Sequence, residues 1–207
     1  MPPKEPIEIR LSKKLTWLLR HGAKSEGIPI QADGFVNVSD LANHPQFKCF
    51  TLEKLQEMTS ADAKQRFTLR WNEKKSIHEI RANQGHSLDV LEGDSEGLER
   101  ITHASQAPQA VHGTYYRYWD RIKTQGLKKI NRNHVHFASS DKINSILSGF
   151  RSDCQILIYL NVEKILSDKI PLFVSSNKVI LCAGIEGAIP PTYFLKVVDK
   201  KSGEALI

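Results

Sequence analysis

The sequence of 207 residues has few cysteines and no long apolar run. Its three cysteines, Cys49, Cys154 and Cys182, lie far apart and form no Cys-x-x-Cys pair, which argues against a disulfide framework and against a zinc site. The longest apolar stretches, such as residues 156–160, are far shorter than the ~20 residues of a membrane-spanning helix. The opening residues contain no apolar signal segment. We therefore expect a reduced intracellular protein, in the cytoplasm or the nucleus, with no membrane partner.

Several common catalytic motifs are also absent. The sequence contains no Gly-x-Ser-x-Gly, no His-Glu-x-x-His, no P-loop and no Gly-x-Gly-x-x-Gly, and it has no obvious carboxylate pair or nucleophile–base arrangement. What recurs instead is arginine and histidine beside polar turns that contain glycine. This pattern favours phosphate chemistry driven by electrostatic stabilisation over acid–base chemistry by paired carboxylates.

The charge is unevenly distributed along the chain. Residues 1–90 carry a net charge of +3, residues 91–100 a net charge of −3, and residues 101–207 a net charge of +6. Two basic blocks separated by a short acidic stretch with glycine predict two lobes, 1–90 and 101–207, joined by a linker at 91–100. The basic balance suits an anionic ligand such as RNA or a phosphorylated metabolite, although many proteins with other functions share it.

Periodicity in the first lobe predicts three helices followed by a hairpin. Ser39 is expected to cap a short second helix that Pro45 ends, and Thr51 is expected to cap a third helix. The runs 65–71 and 76–82 are typical of two strands of a hairpin. This order is that of a winged-helix domain, a fold that usually binds nucleic acid. The opening helix has one apolar stripe of four leucines: Leu11, Leu15, Leu18 and Leu19.

The second lobe contains mostly short strand-like runs. Helical segments are expected at 118–125 and 142–147. The predicted fold class is therefore α+β, with a compact antiparallel or mixed sheet in the second lobe. The expected strands lie at 111–114, 134–138, 155–161, 172–175, 179–182 and 194–198.

Two arginine-containing stretches of the first lobe are candidates for a site. Arg20 and His21 stand together at the end of the opening helix, just before Gly22. A cation at a helix C-terminus gains about 0.3–1 kcal/mol from the helix dipole, so capping by itself explains the pair. Arg66 and Arg70 alternate with apolar residues and are expected on one strand face, for which solvation is the simpler explanation.

Two polar stretches contain a single glycine each. In residues 81–87, RANQGHS, amide, histidine and serine side chains surround Gly85. Such a loop positions a ligand or forms a surface turn. In residues 111–114, VHGT, the glycine lets backbone amides approach a ligand, and Thr114 is placed to bond a ribose or an amide. The tetrapeptide by itself is a weak signal.

A third stretch of interest is NRNHVHFASS, residues 131–140. On a strand, His134 and His136 would share a face, which raises the question of a metal site. No third ligand stands at motif spacing, so no metal is predicted. Arg132 would share the same face, and its planar guanidinium is suited to bidentate binding of phosphate.

Together and in this order, these stretches resemble the RNA 2′-phosphotransferase family. The resemblance covers about residues 11–198. It implies a winged-helix-like N-terminal lobe that binds an RNA 2′-phosphate and an ADP-ribosyltransferase-like C-terminal lobe, of mixed or antiparallel β structure, that binds NAD⁺. The motifs that carry it are LSKKLTWLLRHGA, DGFV, KQRF, IRANQGHS, VHGT, the glycine of QGL, RNHVHFA, SGFRS and SNKVIL.

The resemblance also implies a reaction. The internal 2′-phosphate of ligated tRNA is transferred to NAD⁺ as the final step of tRNA splicing. An ADP-ribosylated RNA 2′-phosphate is the intermediate, and the products are RNA with a 2′-hydroxyl, ADP-ribose 1″,2″-cyclic phosphate and nicotinamide. The implied partners are RNA with an internal 2′-phosphate and NAD⁺ as co-substrate, without a metal, and a monomer is expected.

The site residues follow from the same resemblance. The site is expected in the cleft between the lobes. The Arg-His-Arg-Arg set of the family maps onto Arg20, His21, Arg66 and Arg132. For NAD⁺ the resemblance points to His112, Gly113 and Thr114, with weaker matches at His134, Ser139, Gly149 and Arg151.

Two other functions remain open from the sequence. An ADP-ribosyltransferase of the same fold would stop after the first step and cap terminal phosphates of nucleic acid. A non-catalytic RNA-binding module would use the arginines only to hold backbone phosphate. Such a module would not need VHGT and RNHVH in addition to the first lobe.

Overall fold

A computed structural model describes residues 5–88, 98–139 and 153–207 of the chain. Contacts divide the chain into two compact units, residues 1–97 and 98–207. Both units contain helices, and every strand pairing among the described residues is antiparallel. The predicted α+β class is therefore confirmed. The winged-helix-like and ADP-ribosyltransferase-like character of the two lobes stays a prediction.

The first unit has the predicted order of helices and hairpin. Its sheet has the order β1-β3-β2. Along the chain the elements are α1 (Ile7–Trp17), a π-helical turn (Leu18–Gly22), β1 (Val36–Asn37), α2 (Val38–Asn43), α3 (Leu52–Ala61), β2 (Phe67–Asn72) and β3 (Ile77–Ala82).

The helix caps of the first unit agree with the prediction in one case and differ in the other. The Thr51 side chain accepts a hydrogen bond from the Lys54 backbone at 3.3 Å and caps α3, as expected. Helix α2 is capped by Asn37 rather than by Ser39, whose backbone N–H donates to the Asn37 side chain at 3.0 Å. Asn37 rather than Ser39 is the N-cap because Asn37 still has the extended backbone of β1, the conformation that an N-cap residue needs.

The opening helix is anchored by its apolar stripe. Leu15, Leu18 and Leu19 are fully buried, whereas Leu11 is half-buried at the edge of the core. Each fully buried leucine contributes about 1.5–3 kcal/mol relative to an exposed one. The stripe therefore fixes the position of the turn that follows α1.

The second unit is built around a seven-stranded sheet of order β12-β8-β5-β7-β10-β9-β4, with a separate pair β11-β6. Its helices are α4 (Tyr116–Gln125) and α5 (Val162–Ser167). The strands are β4 (Glu99–Arg100), β5 (Ala110–Thr114), β6 (Leu127–Lys128), β7 (Val135–Ser139), β8 (Ile156–Leu160), β9 (Leu172–Val174), β10 (Val179–Cys182), β11 (Ala188–Ile189) and β12 (Phe194–Asp199).

The six expected strands and the helix expected at 118–125 are confirmed to within about two residues. Helix α5 and the short strands β4, β6 and β11 were not predicted. Strand β4 pairs with β9, so the last two residues of the expected linker belong to the sheet. The helix expected at 142–147 lies outside the described residues. No helix in the described ranges is long and apolar enough to cross a membrane.

A buried carboxylate holds the hairpin of the first unit to the segment before β1. Glu79 on β3 is fully buried and accepts hydrogen bonds from Gln31 at 2.6 Å, from Asn72 at 2.9 Å and from Arg70 at 2.9 and 3.0 Å. Burial raises the pKa of the Glu79 carboxyl, but the hydrogen bonds from Asn72, Gln31 and Arg70 outweigh it and lower the pKa to about 2.

We expect Glu79→Gln to lower the free energy of unfolding at pH 7 by about 1–3 kcal/mol, because the charged hydrogen bonds are lost. The unfolded carboxyl has a pKa of about 4.3. The advantage of the wild type is thus complete above about pH 5 and disappears as the pH falls towards 2. Urea denaturation at several pH values measures this difference. The exposed Glu57→Gln is the control, and an equal difference at pH 3 and pH 7 would contradict the role of Glu79.

Candidate functional site

Arg20 and His21 lie in a π-helical turn, not at the end of a regular α-helix as expected. The Ala23 backbone N–H donates to the carbonyl of Leu18, five residues earlier, at 2.9 Å. Single π turns inside helices are frequent at functional sites. The turn changes which side chains share a face, because residues four and five positions apart now lie over one another.

The loop at residues 83–87 holds this turn from the opposite side. The Ser87 hydroxyl is 2.7 Å from Nδ1 of His21, and the Ser87 backbone N–H donates to the carbonyl of Arg20 at 3.0 Å. Gly85 has a φ of +88°, and a Cβ there would lie 3.2 Å from Cζ of Arg20. Gly85 is therefore required both by the backbone conformation and by the close approach of the guanidinium.

The same loop fixes the start of the hairpin, where Arg66 lies. The Asn83 backbone N–H donates to the carbonyl of Arg66 at 2.8 Å, and Nδ2 of Asn83 donates to the carbonyl of Gln65 at 2.7 Å. The Thr68 hydroxyl donates to the Asn83 side chain. Arg20, His21 and Arg66, three residues of the expected set, are thus held by one loop of the first unit.

The 83–87 loop is buried, so it is not a surface turn. Asn83, Gln84 and His86 are 5%, 7% and 2% exposed. Buried polar groups normally have hydrogen-bond partners. Oε1 of Gln84 has none among the described residues. A buried acceptor without a partner is unusual in a packed core, which makes this loop a candidate ligand site.

Asp62 is a site residue that the sequence analysis missed. Its carboxylate is 6% exposed and accepts hydrogen bonds from Nη1 and from the backbone N–H of Arg66. The spacing of four residues between the acid and the arginine was the available signal. The ion pair orients the Arg66 guanidinium, and 32% of the Arg66 side chain remains exposed.

Arg66 and Arg70 differ in role, contrary to the expectation that both lie on one solvated strand face. Arg66 precedes β2 instead of lying within it. Arg70 is bonded to Glu79 and Asp33, and its guanidinium lies over the ring of Phe35 at 3.5 Å. Arg70 therefore stabilises the fold.

In the second unit, His112 and Thr114 lie on β5, near the middle of the large sheet. Nδ1 of His112 lies 2.9 Å from the carbonyl of His136. A carbonyl only accepts, so Nδ1 carries the proton. Burial lowers the pKa of the His112 imidazole below its ordinary value, the bond to His136 raises it, and the charge of Arg132 lowers it. The neutral ring that results presents Nε2 as an acceptor.

The other predicted residues of this unit lie at several places. Arg132 is exposed in the turn before β7, and Ser139 is the last residue of β7. His134 immediately precedes β7, and its ring lies 6.1 Å from the ring of Phe173. Phe173 is in register with His136 through Leu181, so the ring contact is consistent with the expected shared face of His134 and His136, which stays a prediction. Gly113 lies on β5, next to His112. Gly149 and Arg151 lie outside the described residues.

The described residues contain no group of three or more histidine, cysteine or acidic side chains arranged to hold a metal ion. An open groove is lined by Tyr115, Arg117, Asp153 and Gln155. It begins beside Thr114, because the Gln155 backbone N–H donates to the Thr114 carbonyl at 2.8 Å.

The sequence matches a family model. Residues 6–184 match the model described as RNA 2′-phosphotransferase, Tpt1/KptA family. The chain belongs to this family. It is therefore an enzyme, a transferase of a family that acts on RNA.

Curated relatives agree with the match. The chain is 38% identical over 194 residues to tRNA 2′-phosphotransferase 1 of Danio rerio, covering 92% of this chain and 85% of that protein. It is 40% identical over 200 residues to tRNA 2′-phosphotransferase 1 of Homo sapiens, covering 96% and 78%. Identity to the tRNA 2′-phosphotransferase of Saccharomyces cerevisiae is 32% over 206 residues, covering 95% and 86%.

We expect Gly85→Ala to reduce phosphotransferase turnover roughly 10-fold, because the new Cβ displaces the Arg20 guanidinium by a few tenths of an ångström. The matched control is Gly27→Ala. Gly27 also has a positive φ, +70°, but nothing lies within 4 Å of a Cβ there. Both variants should lose about 1–2 kcal/mol of stability from backbone strain. Urea denaturation and an activity assay separate the two effects, and equal activity of both variants would contradict the role of the loop.

Proposed function

We propose that this chain transfers the internal 2′-phosphate of ligated tRNA to NAD⁺, the final step of tRNA splicing. Membership of the RNA 2′-phosphotransferase family supports the reaction class. The observation that carries the assignment of residues is the buried loop that holds Arg20, His21 and Arg66. These side chains offer permanently charged donor forks and one titratable donor, a set suited to a phosphate dianion.

The catalytic set under this proposal is Arg20, His21, Arg66 and Arg132. Charge on the phosphate oxygens increases while the phosphate is transferred, so donors that are already in place stabilise the transition state more than the ground state. Asp62 accepts one hydrogen bond from the Arg66 backbone N–H and one from Nη1, so the guanidinium loses little freedom when the phosphate binds. Asp62 is a positioning residue in this scheme.

His21 is held in a way that suits a group exchanging a proton. The Ser87 hydroxyl can donate to Nδ1 or accept from it, so the 2.7 Å contact persists in both protonation states. We assign Nε2 of His21 to the phosphate. This nitrogen would donate a hydrogen bond to a phosphate oxygen.

NAD⁺ is the co-substrate in this proposal, and the polar residues of β5 in the second unit fit it. When bound, it supplies the ribose carbon that accepts the phosphate as nicotinamide leaves. Neutral His112, with Nε2 as an acceptor, suits a ribose hydroxyl, and Gly113 leaves the adjacent backbone accessible. Thr114 is the third residue of the proposed contact. His134, Ser139, Gly149 and Arg151 are further proposed NAD⁺ contacts.

The function is tested with a short RNA that carries one internal 2′-phosphate, incubated with and without NAD⁺. We expect the 2′-hydroxyl RNA and ADP-ribose 1″,2″-cyclic phosphate to form only with NAD⁺, because the phosphate needs an acceptor. Chromatography of the RNA and of the nucleotide products measures both. Retention of the phosphate at stoichiometric enzyme would refute the proposal, and accumulation of ADP-ribosylated RNA would favour a transferase that stops after the first step.

The site is tested by Arg66→Ala and Arg132→Ala. Each removes one preorganised donor, so turnover should fall about 10²–10³-fold. The matched controls are Arg10→Ala on α1 and Arg121→Ala on α4, which remove exposed arginines from the same two units. Thermal unfolding checks that each variant is folded. Wild-type turnover in a folded Arg66 or Arg132 variant would remove that residue from the site.

A further inference from the structure

Trp17 is an exposed aromatic side chain beside the candidate phosphate site. It is the last residue of α1, and it is 44% exposed, whereas Leu15, Leu18 and Leu19 around it are fully buried. Tryptophan is highly buried on average in folded proteins. Exposing this apolar ring to water is unfavourable, and packing within the first unit does not explain it.

The indole is held in place by the π turn. A Cβ on Gly22 would lie 2.5 Å from Cη2 of Trp17, 2.6 Å from Cζ3 and 2.8 Å from Cζ2. The six-membered ring of the indole therefore lies directly against the Cα of Gly22, five residues later in the chain. The contact places positions 17 and 22 on one face of the turn, and His21 is the residue that precedes Gly22. A flat apolar surface thus lies within one residue, along the chain, of the histidine that we assign to the phosphate.

We propose that the Trp17 ring is a stacking surface for a nucleobase next to the 2′-phosphate of the RNA substrate. This inference rests on the proposed function. A 2′-phosphate is attached to the ribose, so the base of that nucleotide or its 3′ neighbour lies within one nucleotide of the groups that bind the phosphate. Aromatic side chains that stack on bases, together with cations that bind phosphate, are the usual means of recognising single-stranded RNA.

The chemistry of stacking also suits the substrate. Every base has a π face, so a stacking surface tolerates any sequence at the phosphorylated position. Stacking of one base on an aromatic side chain is worth about 1–3 kcal/mol by alanine substitution, or about 5- to 150-fold in binding. Because Gly22 already fixes the indole, little side-chain freedom is lost on binding.

The experiment compares Trp17→Leu with Trp17→Tyr. Leucine keeps an apolar contact with Gly22 but has no π face, whereas tyrosine keeps both. We expect Trp17→Leu to raise KM for the 2′-phosphorylated RNA about 5- to 150-fold and to leave KM for NAD⁺ unchanged. Trp17→Tyr should keep KM for the RNA near the wild-type value. Trp71→Leu is the matched control, since Trp71 is 51% exposed on β2 and its ring contacts His78.

A second substrate separates stacking from a structural role. An RNA with abasic sites at the phosphorylated nucleotide and its 3′ neighbour has no base to stack. For the wild type, KM for the abasic RNA should exceed KM for the normal RNA by the same factor by which Trp17→Leu raises KM for the normal RNA. For Trp17→Leu, KM should be nearly the same for the two RNAs. Equal losses in wild type and variant would overturn the inference. If the wild type shows no turnover with either RNA, the proposed function fails instead.

Discussion

The hydrogen bonds of the buried 83–87 loop are the interaction on which the first unit's site depends. Asn83 bonds the backbone at Gln65 and Arg66, and Ser87 bonds Arg20 and His21. Each buried polar group without a partner costs about 1–3 kcal/mol, so these bonds offset most of the cost of burying the loop, with Oε1 of Gln84 as an exception. The loop therefore has few alternative arrangements. Rigid placement of cationic donors is the property that phosphate transfer requires.

The hairpin of the first unit is held at both ends by different means. Near the site, Asn83 bonds the chain before β2 and Asp62 pairs with Arg66. Towards the hairpin turn, buried Glu79 accepts hydrogen bonds from Gln31, Asn72 and Arg70. The two arginines of one sequence motif thus have different surroundings, because Arg70 shares the buried Glu79 carboxylate with other donors, whereas Arg66 pairs with Asp62 beside the candidate site.

The second unit positions its histidine by a different route. His112 lies on β5 between β7 and β8, and its ring is fixed by a backbone carbonyl of the neighbouring strand. A carbonyl acceptor determines the tautomer, and burial keeps the ring neutral by lowering its pKa. Nε2 is therefore left as an acceptor, and no acidic side chain in the described part of the chain bonds the ring.

The sequence by itself determined the helices and the hairpin of the first unit, helix α4 and most strands of the second unit, and the family. Leucine spacing, strand alternation and the cap at Thr51 are local signals, and the RANQGHS and LLRHGA motifs are specific. Only the tertiary structure decided the π turn, the cap at Asn37, the pairing of Asp62 with Arg66 and the burial of the 83–87 loop. The position of the buried loop depends on residues far apart in sequence, such as His21 and Ser87 at 66 residues, and local periodicity carries no signal for such pairs. The π turn, the Asn37 cap and the Asp62–Arg66 pair are local contacts, but the backbone around them decides which of several possible local partners is used.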